Sequence, residues 1–109
     1  MVLRLPMWLL PMALTLAPAQ GRDLRAYFAE RCAGCHGVDG SGRGPGGVRL
    51  GGASLQDPRT VGKASDEALV AVLLDGRGAM PGFRRQLGEA DARRMIAEVV
   101  RPLASRKRG

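Results

Sequence analysis

The chain has few of the side chains that bind metal ions or stack on nucleotides. Its 109 residues include one histidine, two cysteines, one tryptophan, one tyrosine and two phenylalanines. Three cysteine and histidine side chains are too few for a tetrahedral structural zinc site. The formal net charge of +7 permits nucleic-acid binding, but no basic-aromatic pattern or nucleic-acid motif accompanies it. We therefore expect no nucleic-acid partner.

Both cysteines and the histidine lie in one run, Cys32-Ala33-Gly34-Cys35-His36. A C-x-x-C-H run is the attachment signature of a c-type haem. The two thiols would add to the haem vinyl groups as thioethers, and the adjacent imidazole would take an axial position on the iron. A redox dithiol is the alternative function for the two cysteines. The motif predicts one haem c, attached through Cys32 and Cys35, with His36 as a ligand of the iron.

The N-terminal segment has the pattern of a secretory signal peptide. Arg4 is followed by an apolar run from Leu5 to Leu16, and Ala17-Pro18-Ala19 matches an A-x-A cleavage site. We expect residues 1–19 to be cleaved and the mature protein to be periplasmic. An uncleaved anchor is the alternative, although the run is shorter than the ~20 residues of a membrane span.

The rest of the chain has the length of one small domain. We expect this domain at residues 20–104, followed by a basic tail at residues 105–109. A domain this small buries only about two-thirds of its unfolded surface, and it often needs a disulfide, metal or cofactor to remain folded. A covalently attached haem would meet that need.

Three segments have the apolar spacing of helices. The first spans Asp23–Cys32 and the second Ser65–Gly76, and each begins with a residue that can cap the helix. The third spans Glu89–Arg101, and we expect Pro102 to end it. No segment has a convincing strand pattern. The predicted fold is therefore all-α, with three main helices and glycine-rich loops.

The sixth iron position depends on the two methionines that remain after signal cleavage. A second histidine ligand is excluded because the chain has only one histidine. Met95 lies on the apolar face of the third predicted helix, where methionine commonly fills a core. Met80 lies in a loop, before Pro81, which biases its backbone toward an extended conformation. We predict Met80 as the second axial ligand; an open iron position is the alternative.

The C-x-x-C-H motif and the segment that ends near Met80 resemble motifs of the class I cytochromes c, particularly the small bacterial ones. The segment Cys32–Gly37 resembles the haem motif of that family, and Leu73–Phe83 resembles the segment that ends with its methionine ligand. The resemblance covers essentially the whole mature chain. It implies a cytochrome c-like fold, with thioethers at Cys32 and Cys35 and axial ligation by His36 and Met80.

The resemblance also raises the question of what orients the histidine ligand. In many relatives, the carbonyl of a proline just before the leucine that matches Leu50 accepts the imidazole N–H. This chain has Arg49 at that place, with Val48 before it, so the acceptor for His36 is not identified by the resemblance.

Several side chains are expected around the haem. Packing against the ring is predicted for Phe28, Leu50, Leu73 and Phe83, and also for Val48 in the glycine-rich loop. The chain has no tryptophan in its mature part to bind a haem propionate. Arg59 or Lys63 is expected in that role instead.

The predicted function is that of an exported one-electron carrier rather than an enzyme. The basic charge suggests redox partners with acidic docking surfaces, guided by some of Arg43, Arg49, Lys63, Arg77, Arg84 and Arg85. The protein is expected to be a monomer or one subunit of a complex. One alternative is a dedicated electron-acceptor subunit of a periplasmic dehydrogenase. Another is a haem sensor or peroxidase-like enzyme with an open iron.

Overall fold

Helices provide the regular structure of the computed structural model, which describes residues 22–106. They are α1 Leu24–Arg31, α2 Ala33–His36, a short 3-10 turn Pro45–Gly47, α3 Asp66–Asp75, α4 Glu89–Met95, a π-helical segment Ile96–Val100 and α5 Arg101–Arg106. Within residues 22–106 no β-strand forms, and two isolated bridges join residue 43 to 49 and residue 77 to 80. The all-α prediction is confirmed. The predicted signal peptide lies outside the described residues.

The first two predicted helices begin and end where their capping residues indicate. A side-chain oxygen of Asp23 accepts a hydrogen bond from the N–H of Ala26 at 3.1 Å. At the start of α3, the Ser65 hydroxyl oxygen accepts from the N–H of Ala68, also at 3.1 Å. α3 ends at Gly76, whose φ of 83° lies in the left-handed region that glycine tolerates. Local capping chemistry therefore fixes the bounds of these helices.

The last helix does not end at Pro102. It runs without interruption from α4 through the π-helical segment into α5, which reaches Arg106. The N–H of Arg101 bonds to the carbonyl of Ile96, five residues earlier, as a π turn requires. Proline has no N–H to donate, and it is tolerated in the first turn of a helix. Because Pro102 is the second residue of α5, the wider turn before it lets the chain stay helical. The prediction that Pro102 ends the helix is wrong.

The buried core joins α1 to α3 and to the last helix. The Tyr27 ring meets Phe83 edge to face, with the ring centroids 6.0 Å apart, and the Tyr27 hydroxyl donates to the side-chain carbonyl of Gln86 at 2.8 Å. Met95 is 1% exposed and lies in this core, as its helical spacing predicted. The residue after α1, Cys32, is also part of the cluster. The haem motif therefore begins inside the hydrophobic core.

The segment before α3 is tied to the last helix by Arg101. Its guanidinium donates to the carbonyls of Val61 (2.5 Å) and Ala64 (2.8 Å). It also donates twice to one carboxylate oxygen of Asp66, at 2.7 and 3.1 Å. These contacts hold a segment without regular structure against a helix.

No helix among residues 22–106 is both long enough and apolar enough to span a bilayer.

Candidate haem-binding site

The two cysteines and the histidine lie on a single helical turn. Cys32 closes α1, with its N–H bonded to the carbonyl of Phe28 at 2.8 Å, and its own carbonyl accepts from the N–H of His36 at 2.9 Å. Residues three and four apart on a helix are neighbours on one side of it. Cys32 is buried and Cys35 is exposed. The turn therefore brings both thiols and the imidazole together at the boundary between the core and the surface.

The environment of Cys32 disfavours its thiolate form. Burial, with a smaller contribution from Cys35, raises the pKa of the Cys32 thiol to about 11. The attacking thiol of a redox-active C-x-x-C site instead has a lowered pKa, because the thiolate is the attacking form. Cys32 is therefore not suited to be the attacking thiol of such a pair.

One ring nitrogen of His36 is bonded to the backbone. Its Nδ1 lies 2.8 Å from the carbonyl oxygen of Ala53. A carbonyl can only accept, so Nδ1 carries the proton, and Nε2 keeps its lone pair. Metal-bound histidines have this arrangement, with the second N–H donated to a carbonyl or carboxylate. The imidazole is therefore held in the tautomer that can bind iron through Nε2.

The acceptor for His36 is not beside Leu50. It is Ala53, which lies two residues before Leu55. Leu55 packs against the core cluster, whereas Leu50 is half-buried. The signal that sequence analysis missed is the Ala53-Ser54-Leu55 run, in which a second leucine follows the acceptor.

Backbone hydrogen bonds hold this loop around α2. The N–H of Gly42 donates to the His36 carbonyl at 2.6 Å, and the N–H of Leu50 donates to the Gly42 carbonyl at 2.9 Å. The N–H of Gly52 then returns to the Cys35 carbonyl at 2.8 Å. The carbonyls at the end of α2 are thereby satisfied by the loop that also carries Ala53.

Met80 lies in a closed turn beyond α3. The N–H groups of Arg77 and Met80 each donate to the other residue's carbonyl, both at 3.0 Å. After the turn, the N–H of Phe83 donates to the carbonyl of Leu73 in α3, again at 3.0 Å. Met80 is half-buried and packs against the core cluster. Its position is therefore set by the backbone of the turn and the end of α3.

The other residues predicted around the haem have different environments. Phe28, Leu73 and Phe83 are buried in the core cluster, and Val48 is 63% exposed. Of the two candidate propionate partners, Arg59 is paired with Asp57 at 3.2 Å, and Lys63 is exposed. Within residues 22–106, no group of three histidine, cysteine or acidic side chains could hold a separate metal ion.

These residues fit a haem c. Two thiols at the required spacing and an imidazole with a free Nε2 are the groups that the attachment of such a cofactor needs from the protein. To the C-x-x-C-H motif the structure adds the carbonyl of Ala53, which is bonded to His36.

The chain is similar to c-type cytochromes in sequence and in structure. Residues 19–97 match the family described as Cytochrome C oxidase, cbb3-type, subunit III. Cytochrome c6 of Synechocystis sp. (strain ATCC 27184 / PCC 6803 / Kazusa) is 33% identical over 76 residues, which make up 70% of this chain and 60% of that protein. The match thus leaves two-fifths of that cytochrome c6 uncovered.

Two solved structures are also similar to this chain. The KustC0563 c-type cytochrome has a TM-score of 0.62 and 28% identity, over 75% of this chain and 98% of that one. The c-type cytochrome NirC has a TM-score of 0.53 and 29% identity, over 71% of this chain and 88% of that one.

The family match covers well over half of the chain, and it includes the haem motif and the Met80 turn. The predictions of a cytochrome c fold and of a covalently bound haem c are confirmed by these likenesses. The chain belongs to the family of Cytochrome C oxidase, cbb3-type, subunit III, and is a small monohaem class I c-type cytochrome.

Proposed function

We propose that this cytochrome is an exported one-electron carrier in which His36 and Met80 are the two axial ligands of the haem iron. When bound, the haem supplies reversible one-electron chemistry at its iron, and a histidine–methionine ligand pair raises its reduction potential. The observation that carries the proposal is the hydrogen bond from His36 Nδ1 to Ala53 at 2.8 Å. It leaves Nε2 as the nitrogen available to the iron.

Two properties favour Met80 over Met95 as the second ligand. Met95 is 1% exposed inside the core between helices, where its side chain fills space. Met80 is half-buried, and its turn is closed by two backbone hydrogen bonds to Arg77. A ligand held by such a turn is kept in place in both oxidation states, so electron transfer requires little rearrangement of the protein.

Ion pairs within the chain distinguish the cations predicted for docking, because a paired cation is less available to a partner protein. Within residues 22–106, five arginines pair with seven acidic side chains. The acidic partners are Asp57, Asp66, Glu67, Asp75, Glu89, Asp91 and Glu98. Arg84, predicted as a docking residue, is among the paired arginines, because it binds Asp75 at 2.8 Å. An arginine whose charge is already compensated contributes less to the attraction of an acidic partner.

The remaining predicted docking residues form no ion pair in the described part of the chain. They are Arg43, Arg49, Lys63, Arg77 and Arg85. Arg43 and Arg49 are bridged across the loop that wraps α2, and Arg77 is in the Met80 turn. Unpaired cations therefore belong to the loop around α2 and to the turn that carries Met80. We infer a redox partner with an acidic surface, which such charges would steer by long-range attraction.

The segment of residues 1–19 supports export, since it combines an apolar run with a small-residue cleavage site. A periplasmic location agrees with a haem that consumes both thiols of the chain. Mass spectrometry of the purified holoprotein tests this part of the proposal. A mature chain that begins at Gln20 supports it, and an intact N-terminus would indicate a retained anchor instead.

The ligand assignment is tested by the far-red charge-transfer band between the methionine sulfur and ferric iron. The band is expected in the wild-type holoprotein, absent from Met80→Ala and retained in Met95→Leu, which keeps the core volume nearly unchanged. Met80→Ala is also expected to bind carbon monoxide readily in the ferrous state, whereas the wild type does not. The reverse pattern in the two variants, or ready carbon monoxide binding by the wild type, would overturn Met80 as the ligand.

A further inference from the structure

We propose that Gly52 is a positioning residue for the histidine ligand: its lack of a side chain lets the Ala53 carbonyl reach His36 Nδ1. This inference rests on the proposed ligation of iron by His36. It identifies which residue of the chain fixes the orientation of that ligand.

The space around Gly52 has no room for a methyl group. A Cβ built at this position would lie 2.5 Å from the carbonyl oxygen of Cys35, 2.7 Å from its carbonyl carbon and 3.0 Å from Nδ1 of His36. The first two are backbone atoms of α2, which cannot turn aside as a flexible side chain does. Any larger residue must therefore push the segment that carries Ala53 away from the imidazole.

The backbone of Gly52 is also closely approached by Gly42. A Cβ on Gly42 would lie 2.7 Å from the carbonyl oxygen of Gly52, and its φ of +77° already favours glycine. The N–H of Gly52 donates to the Cys35 carbonyl at 2.8 Å. Gly52 is thus enclosed between Gly42 and α2, and its backbone cannot retreat without losing a hydrogen bond.

The consequence for the cofactor is electronic. A hydrogen bond from Nδ1–H to a carbonyl increases the basicity of a metal-bound imidazole. A more basic ligand stabilises the ferric iron more than the ferrous iron, which lowers the reduction potential. Lengthening the contact with Ala53 should therefore raise the potential and also free the Nδ1 proton to exchange with solvent.

The test compares Gly52→Ala with Gly88→Ala in the holoprotein. Gly88 precedes α4, outside the haem motif, and a Cβ there meets nothing within 4 Å, so this variant controls for the addition of a methyl group elsewhere in the chain. We expect Gly52→Ala to have a higher reduction potential than the wild type and an Nδ1 proton that exchanges at least tenfold faster by nuclear magnetic resonance. Gly88→Ala should match the wild type in both measurements. A potential and an exchange rate in Gly52→Ala equal to those of Gly88→Ala would overturn the proposal.

If Gly52→Ala does not accumulate as holoprotein, the exchange rate of the His36 Nδ1 proton in the wild type tests the proposal. A slowly exchanging Nδ1 proton on His36 supports the proposal, and a proton that exchanges as fast as in free imidazole overturns it. Failure of the underlying ligation looks different, because the wild type itself would then lack the low-spin spectrum of a six-coordinate iron. A merely structural role for Gly52 would lower the thermal stability and leave the potential unchanged.

Discussion

Of the two proposed axial ligands, His36 ends a helix, and its ring is bonded through Nδ1 to the carbonyl of Ala53. Met80 sits in a turn that is closed by two backbone hydrogen bonds. The histidine loop, residues 37–53, therefore specifies the direction of a side chain. The methionine loop, residues 76–83, specifies only where a segment of backbone lies.

This difference predicts two kinds of failure. A disturbance of the histidine loop should leave the ligand in place, because His36 follows directly after the covalent attachment at Cys35, and should change only the electronic properties of the iron. A disturbance of the methionine loop should remove the ligand, because no attachment holds Met80 near the site. The methionine side is thus where ligation should be lost first.

The largest effect is expected at Gly82, which holds the methionine loop against α3. A Cβ there would lie 2.5 Å from the carbonyl oxygen of Leu74 and 2.7 Å from the carbonyl carbon of Asp75. We expect Gly82→Ala to lose most of the far-red sulfur–iron band and to lower the free energy of unfolding by about 1–3 kcal/mol, as overpacking does. Chemical denaturation measures the free energy of unfolding, and the absorption spectrum of the ferric holoprotein measures the band.

Gly78 in the same loop provides the control. Its φ is +58°, and a Cβ there meets nothing within 4 Å. Asparagine tolerates that backbone conformation, so Gly78→Asn should keep the band. A band that survives in Gly82→Ala and disappears in Gly78→Asn would show that contact with α3 does not determine where Met80 lies.

A smaller effect is expected at Arg101, which fixes the segment between the histidine loop and α3. Removal of the guanidinium leaves the carbonyls of Val61 and Ala64 without their donors. We expect Arg101→Met to lower the free energy of unfolding by about 2 kcal/mol, since two part-buried hydrogen bonds are lost and each typically contributes about 1 kcal/mol net. The far-red band should persist, because neither ligand loop contacts this guanidinium.

Arg94→Met is the matched control for this prediction. Among the described residues 22–106, Arg94 pairs only with the carboxylates of Asp91 and Glu98 on its own helix. Exposed pairs of this kind contribute about 0–1 kcal/mol. Equal losses of stability in the two variants would mean that the carbonyl contacts of Arg101 add nothing beyond an ordinary ion pair.

Sequence alone predicted the features that depend on neighbouring residues. The caps at Asp23 and Ser65 and the stop at Gly76 follow from local backbone chemistry, and the C-x-x-C-H motif requires only its own spacing. The continuation of the last helix past Pro102 was missed, because a π turn depends on how the whole helix packs. The Ala53 acceptor was missed because the loop reaches α2 through hydrogen bonds between residues many positions apart, which no local pattern records.

The smallest effect concerns the cations of the two loops, Arg49 on the histidine side and Arg77 on the methionine side. Both are exposed and form no ion pair within residues 22–106, so either loop can attract an anionic partner. We expect Arg49→Gln and Arg77→Gln each to slow reduction of the ferric holoprotein by hexacyanoferrate(II) about 2-fold at low ionic strength, because the charge on the protein steers such an anion. Stopped-flow absorption gives the rate.

The control for these two variants is Asp75→Asn/Arg84→Gln, which removes an ion pair of 2.8 Å and leaves the net charge unchanged. Its rate should equal that of the wild type, and all four proteins should converge at 1 M salt, where charges are screened beyond about 3 Å. If only one of Arg49→Gln and Arg77→Gln is slow, the anion approaches through that loop alone, and the two loops differ in docking as well as in how they hold their ligands. If neither is slow, these cations do not guide the approach, and the attraction must come from the charge of the molecule as a whole.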